Sequence, residues 1–154
     1  MSADMEKDIQ DKRSRLQRFV GRGSKESSTK GVNHIAIFAL DLEATAEFYS
    51  QIIGMPVTSV TANRDEPMST HLNVDIGKGM ALSFFDFPHV PRLQVPVPEG
   101  AGGMMHVAID IPEDQYSRVE GRLRERGVSF QRIGDSAYFK DPNGMTIELG
   151  IVKN

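Results

Sequence analysis

One five-residue segment occurs twice in the chain, as Asn33-His34-Ile35-Ala36-Ile37 and again as Met105-His106-Val107-Ala108-Ile109. In both copies bulky apolar residues alternate with other residue types, which predicts a β-strand with one buried face. Working outward from the histidines, Gly54 lies 20 residues after His34 and Gly127 lies 21 residues after His106. Each glycine follows an amphipathic stretch and predicts the end of a helix. The same strand and helix are therefore expected in each half of the chain.

The closing segments of the two halves overlay as well. The turn at residues 77–80 matches the turn at residues 142–145, and the strand at residues 81–84 matches residues 146–149. A repeat of this size implies two supersecondary units, neither of which buries its sheet face alone. We expect an α+β fold of two tandem βαβββ modules, which form a U-shaped mixed sheet around a cleft with the helices outside.

The domain boundaries follow from composition. Module 1 is expected at residues 31–87, a Pro- and Gly-rich linker at 88–103, and module 2 at 104–152. Residues 1–30 are predicted to form an N-terminal helical arm and linker, because their apolar residues fall roughly on one helical face. This arm is either loosely docked or packs on a partner subunit.

Composition also limits the function. The chain has 154 residues and no cysteine, so a metal ion must be held by nitrogen or oxygen ligands. The net charge is −3, and because residues 1–30 carry +3, the remainder is acidic and argues against nucleic acid as a partner. The short apolar runs and the lack of a signal segment predict a cytoplasmic protein without a membrane partner.

Three polar side chains of the repeat are candidate metal ligands. His34 and His106 occupy equivalent points of their modules, and Glu148 points away from its flanking bulky neighbours on the last strand. A lone strand histidine is more often a hydrogen-bonded structural residue, and a lone glutamate is usually solvated. The repeat-equivalent placement of the pair favours a metal site with open positions instead.

These residues resemble the vicinal oxygen chelate superfamily, which includes glyoxalase I, extradiol dioxygenases, an epimerase and antibiotic resistance proteins. The resemblance covers residues 31–152. It rests on the two repeated segments above, on Phe48-Tyr49 with Ile53-Gly54-Met55, and on residues 138–149, Tyr138-Phe139-Lys140-Asp141-Pro142-Asn143-Gly144-Met145-Thr146-Ile147-Glu148-Leu149.

The resemblance implies that His34, His106 and Glu148 bind a divalent metal between the modules. Glyoxalase-like members have a fourth protein ligand where this chain has Ser83, so the ligand set is more similar to that of extradiol dioxygenases. Tyr138, ten residues before Glu148, matches an active-site tyrosine of those enzymes. It also has an ordinary structural interpretation as a strand tyrosine.

The leading hypothesis is a metal-dependent, extradiol-type dioxygenase whose small-molecule substrate chelates the metal through two neighbouring oxygens. Fe(II) is the preferred metal, with Mn(II), Zn(II), Ni(II) or Co(II) as alternatives. His71 and His89 are candidate acid/base residues, although a loop histidine such as His89 is more often merely solvated. The alternatives are a glyoxalase-like isomerase, epimerase or lyase on the same metal site, and a metal-free small-molecule binding or resistance protein. The resemblance also implies a homodimer.

Overall fold

The computed structural model describes residues 3–23, 26–93 and 100–153. The chain divides into two compact units, Met1–Gly31 and Val32–Asn154. In the first unit, helix α1 spans Ala3–Gln17, where the sequence predicted a helix. Its side chains Met5 and Leu16 are exposed. Within the described residues, no helix combines the length and apolar character that a bilayer-spanning segment needs.

Both modules of the second unit have the predicted βαβββ order. Module 1 contains the strands β1 to β4 and helix α2, with bounds His34–Phe38 (β1), Leu42–Glu47 (α2), Val57–Ala62 (β2), Thr70–Gly77 (β3) and Met80–Phe85 (β4). Module 2 contains Val107–Pro112 (β5), Glu113–Glu125 (α3), Phe130–Ile133 (β6), Ser136–Lys140 (β7) and Thr146–Val152 (β8). Residues 88–93 and 100–103 of the linker hold neither helix nor strand, whereas residues 94–99 lie outside the described part.

The two sheets have the same topology. The first has the strand order β1-β4-β3-β2 and the second β5-β8-β7-β6. In each sheet the first strand runs parallel to the last one, and the remaining neighbours are antiparallel. Ala36 pairs with Ser83 in the first sheet, and Ala108 pairs with Glu148 in the second. The register therefore confirms the internal repeat and the equivalence of Ser83 with Glu148.

The helix of module 1 differs from the regular α-helix that the sequence predicted. The carboxylate of Asp41 caps it by accepting a hydrogen bond from the N–H of Ala44 at 2.9 Å, as expected of an N-cap residue. The α-helix then continues as a π-helical segment, Phe48–Ile53, which ends at Gly54 with φ +87°. Phe48, Tyr49, Ile52 and Ile53 of this segment are all buried, whereas Ala44 in the preceding α-helical turn is exposed.

Both modules bury their apolar side chains in one shared core. The ring of Phe48 lies 6.0 Å from that of Phe139, so the helical segment of module 1 contacts the sheet of module 2. In the opposite direction, the Arg122 guanidinium of α3 donates to the carbonyl oxygens of Ile52 and Ile53 at 2.6 and 3.3 Å. Each sheet consequently has one face on the core and one open face, which is where the candidate site residues lie.

Candidate functional site

Glu148 is the centre of a polar cluster on the open face of the second sheet. It lies on β8, between Ala108 of β5 and Tyr138 of β7 in the strand register. The Nε2 atom of His106 lies 2.9 Å from Oε2 of Glu148, and the Ser136 hydroxyl donates to Oε1 at 2.6 Å. Tyr138 pairs with Glu148 across β7 and β8, and its ring meets the His106 ring edge to face at 5.9 Å. An imidazole nitrogen and carboxylate oxygens, all of them possible metal-ligand atoms, therefore lie side by side on this sheet.

The surroundings of Glu148 favour its ionised form. The hydrogen bond from Ser136 is the main cause that lowers the pKa of Glu148 below its usual value. Burial acts in the opposite direction, and the Tyr138 hydroxyl and the charge on His106 lower the pKa further. A carboxylate that stays ionised over a wide pH range is suited to bind a cation.

His34 does not join this cluster within one chain. It begins β1 on the open face of the first sheet, is exposed, and its Nδ1 lies 2.8 Å from the side-chain oxygen of Asn33. Among the residues that the structure describes, no group of three His, Asp or Glu side chains could hold a metal ion. One chain thus brings together two of the three predicted ligands, and the expected convergence of all three is not seen in the described ranges.

The equivalent positions of the first sheet hold a second polar network. Asn73 pairs with Ser83 across β3 and β4, as Tyr138 pairs with Glu148 in module 2. Ser83 Oγ lies 2.5 Å from Asn73 Oδ1, and His71 Nε2 lies 3.0 Å from the same oxygen. Asn73 Nδ2 donates to Ser59 at 2.9 Å. The candidate acid/base residue His71 is therefore part of a network that is separate from Glu148.

Aromatic side chains surround the end of β1 on the same sheet. His71 stacks on Phe85 with ring centroids 4.3 Å apart, and Phe87 lies 5.5 Å from Phe38 and 5.8 Å from Phe85. Two apolar cavities of about 440 and 260 Å³ share Phe38, Phe85 and Phe87 in their walls. These cavities could accept an aromatic or other apolar group.

His89, the other candidate acid/base residue, is exposed in the linker. Its Nδ1 lies 3.9 Å from Oε2 of Glu66, and its ring meets Phe87 edge to face at 5.8 Å. The His89 side chain is 65% exposed, and its role as an acid/base residue stays a prediction.

Sequence reasoning missed Ser136 and Asn73 as parts of the two networks. The available signal was strand alternation, because Ser136 lies two residues before Tyr138 and Asn73 lies two residues after His71. Serine and asparagine are common on open sheet faces, so the alternation alone did not single them out.

The chain is similar in sequence to known bacterial proteins. A full-length relative is "Uncharacterized protein YwkD" of Bacillus subtilis, 28% identical over 127 residues, which covers 78% of this chain and 95% of that protein. "Putative ring-cleaving dioxygenase MhqE" of the same organism is 27% identical over 106 residues. That match covers 67% of this chain but only 34% of MhqE, so the chain spans about a third of that relative's length.

The fold also matches solved structures. One is the fosfomycin resistance protein FosX from Listeria monocytogenes in complex with Mn(II) and sulfate, with a TM-score of 0.58 and 21% identity. The match covers 79% of this chain and 91% of FosX, and it shows the likeness of the fold. The sequence profile of the Glyoxalase/Bleomycin resistance protein/Dioxygenase superfamily matches residues 31–149. The two equivalent sheets and this match lead to one conclusion: the chain belongs to the Glyoxalase/Bleomycin resistance protein/Dioxygenase superfamily.

Proposed function

We propose that the protein is a metal-dependent, extradiol-type ring-cleaving dioxygenase, which holds its substrate through two neighbouring oxygens. The observation that carries this proposal is the contact of 2.9 Å between His106 and Glu148, beside the Tyr138 hydroxyl. The name of the relative MhqE is in agreement with a ring-cleaving reaction. The aromatic walls of the two cavities suit a planar, apolar substrate.

His106 and Glu148 are the proposed metal ligands of this chain. An imidazole and a carboxylate without any thiolate suit Fe(II), and equally Mn(II), the metal present in the FosX structure. The ion, when bound, would act as a Lewis acid that orients the substrate oxygens and activates dioxygen. Tyr138 is proposed to donate a hydrogen bond to the substrate. His71, which lies on the same sheet as His34, is proposed to move the substrate proton at the shared site described next.

His34 of a second copy is proposed as the third ligand. Two protein donors leave a divalent ion poorly held, and within the described part of one chain His34 lies outside the Glu148 cluster. His34 is exposed on an edge strand, and Phe38 on the same face is 62% exposed. This face of β1 is therefore accessible to a second copy of the chain. A homodimer with twofold symmetry would complete two identical sites.

Reconstitution with Fe(II) under anaerobic conditions, followed by an oxygen-uptake assay with a panel of catechols, tests the reaction. We expect uptake that depends on Fe(II) and is lost in the His106→Ala variant. No uptake with any catechol, combined with turnover of an acyl-CoA or a thiohemiacetal under Zn(II) or Ni(II), would replace the proposal by an isomerase, epimerase or lyase. Purified protein that binds no metal would favour a metal-free binding protein.

A mixing experiment tests the shared site. His34→Ala and Glu148→Ala each damage both sites of a homodimer, but a mixed dimer retains one intact site only if His34 acts across the interface. Random exchange of the two variants is expected to restore about a quarter of the wild-type metal sites, since half of the dimers are mixed and each has one intact site. Metal content that stays at the level of the separate variants would place all three ligands within one chain.

A further inference from the structure

The network around Asn73 constrains the protonation of His71. His71 and Asn73 are two residues apart on β3 and so share its open face. The stacked Phe85 ring, inclined by 16° at 4.3 Å, holds the imidazole plane. In this orientation the imidazole Nε2 of His71 lies 3.0 Å from Oδ1 of Asn73. The bond to Asn73 decides which ring nitrogen carries the proton, because a neutral imidazole has one N–H and one acceptor nitrogen.

The contact with Ser83 determines which way the Asn73 amide faces. An O–H···O bond spans about 2.5–3.0 Å, whereas an N–H···O bond spans about 2.7–3.2 Å. Ser83 Oγ lies 2.5 Å from the Asn73 atom that it contacts, which suits the amide oxygen and is too short for the amide nitrogen. The opposite end of the amide lies 2.9 Å from Ser59 Oγ, a distance that suits an N–H donor. Ser83 is 1% exposed, so no bulk water competes for its hydroxyl.

Because the amide oxygen of Asn73 faces His71, the Nε2 atom must carry a proton and donate it to this hydrogen bond. We propose that Asn73 is a positioning residue that holds neutral His71 as its Nε2–H tautomer and leaves Nδ1 as the proton acceptor. Among the described residues no group hydrogen-bonds to Nδ1, so its lone pair is available to a substrate. Asn73 orients the ring through this hydrogen bond.

The proposal gives Ser83 a task of its own. At the position where module 2 has Glu148, module 1 has a buried hydroxyl that fixes the amide of Asn73. The chain of contacts runs from Ser83 through Asn73 to His71. The proton-transfer role of His71 rests on the proposed function, whereas the tautomer depends only on these contacts.

Nitrogen-15 NMR of the full-length protein, labelled at histidine, tests the tautomer directly. Spectra are recorded at a pH where the rings are neutral, and a His71→Gln variant identifies the signals of His71. We expect a protonated Nε2 and an unprotonated Nδ1. Asn73→Asp is expected to retain this state because a carboxylate oxygen also accepts from Nε2–H. Asn73→Leu is expected to give a mixture of both tautomers.

Ser83→Ala provides a second variant that leaves Asn73 in place. Without the hydroxyl the amide is free to turn, so a partial loss of the Nε2–H form is expected, whereas Ser59→Ala retains the oxygen contact and the tautomer. A wild-type signal with the proton on Nδ1 overturns the proposal. So does an unchanged tautomer in both Asn73→Leu and Ser83→Ala.

Oxygen uptake separates this proposal from the proposed function. If no catechol is oxidised while His71 is the Nε2–H form, the function fails and the tautomer assignment stands. In an active enzyme, Asn73→Leu is expected to lower kcat about 10–100-fold with little change in KM, as the loss of a supporting hydrogen bond does elsewhere. Asn73→Asp is expected to restore part of that loss, which a merely structural role would not explain.

Discussion

The two modules have the same strand order but use equivalent positions for different purposes. In module 2, the Glu148 carboxylate accepts a hydrogen bond from Ser136 and contacts the His106 ring. In module 1, Ser83 at the same position donates into an uncharged network around Asn73. The neighbouring equivalent positions differ as well. His71 pairs with Phe85 across β3 and β4, whereas Ser136 pairs with Gly150 across β7 and β8. Module 2 therefore contributes the carboxylate of the proposed metal site, whereas at the equivalent position module 1 has an uncharged network that orients the His71 ring.

The largest effect is expected at Glu148, the position at which the two modules differ in charge. Glu148→Gln removes the charge that attracts the metal while retaining the side-chain shape, so metal affinity is expected to fall by at least about 100-fold, beyond the loss typical of outer-sphere changes. Ser83→Ala at the equivalent position is expected to leave metal content unchanged. Metal analysis after dialysis measures both, and loss of metal in Ser83→Ala would show that the two halves are not divided in this way.

Equivalent core positions should behave alike. Phe84 and Leu149 are both fully buried and occupy the same register in their sheets. Truncation of a buried aromatic or leucine side chain costs about 2–5 kcal/mol, so Phe84→Ala and Leu149→Ala should each destabilise the protein by that amount. Because the core is shared, denaturant unfolding of either variant should remain a single transition. Two separate transitions would mean that the modules unfold independently.

The turns before β4 and β8 look alike locally but differ in their tertiary contacts. Asp75 accepts from the N–H of Gly77, and Asp141 accepts from the N–H of Asn143, each two residues ahead. Asp141 also accepts from Tyr49 Oη at 3.0 Å and from the N–H of Met145. Burial, followed by the charge and hydrogen bond of Asp141, raises the pKa of Tyr49, so its hydroxyl stays protonated as a donor.

Asp141→Ala is therefore expected to cost about 3 kcal/mol, because buried donors would lose their acceptor. Asp75→Ala removes only the local contact of Asp75 with the Gly77 N–H in module 1, and it is expected to cost about 1 kcal/mol or less. Equilibrium unfolding in urea gives both free energies. Similar losses in the two variants would contradict the view that Asp141 links the modules.

The smallest expected effect concerns the helix starts. The helix of module 1 is capped by Asp41, whereas Pro112 before α3 makes no side-chain cap hydrogen bond. Asp41→Ala should lower the free energy of unfolding by about 1 kcal/mol, and Asp41→Asn should retain most of it because asparagine caps equally well. Thermal unfolding distinguishes the two variants, and an equal loss in both would mean that the charge, rather than the cap, is what matters.

Sequence alone predicted what depends on local periodicity and on the repeat. The βαβββ order, the end of the helix at Gly54 and the equivalence of Ser83 with Glu148 in the repeat were all confirmed. The structure brings His106 and Glu148 together because the parallel pairing of β5 with β8 places the two residues on one face, whereas their binding of a metal stays a prediction.

Other features depend on contacts that local pattern does not contain. The π-helical segment is one of them, because regular α-helical spacing already places Phe48, Tyr49, Ile52 and Ile53 on one face and gives no signal for the wider turn. The separation of His34 from Glu148 depends on how the two sheets lie within one chain, which alternation along a strand does not specify. The amide of Asn73 becomes informative only when Ser59, His71 and Ser83 are seen around it.

Arg122 has a consequence for how such a duplicated chain can change over generations. Its guanidinium binds the carbonyl ends of the first half's helical segment, and a Cβ added at Gly54 would lie 3.2 Å from Arg122 Nη2. A chimaera that joins the first half of one homologue to the second half of another would have to inherit a compatible residue at both positions. Recombination between relatives is thus expected to give a folded chain only where the residues at positions 54 and 122 come from the same parent, although the two positions lie far apart in the sequence.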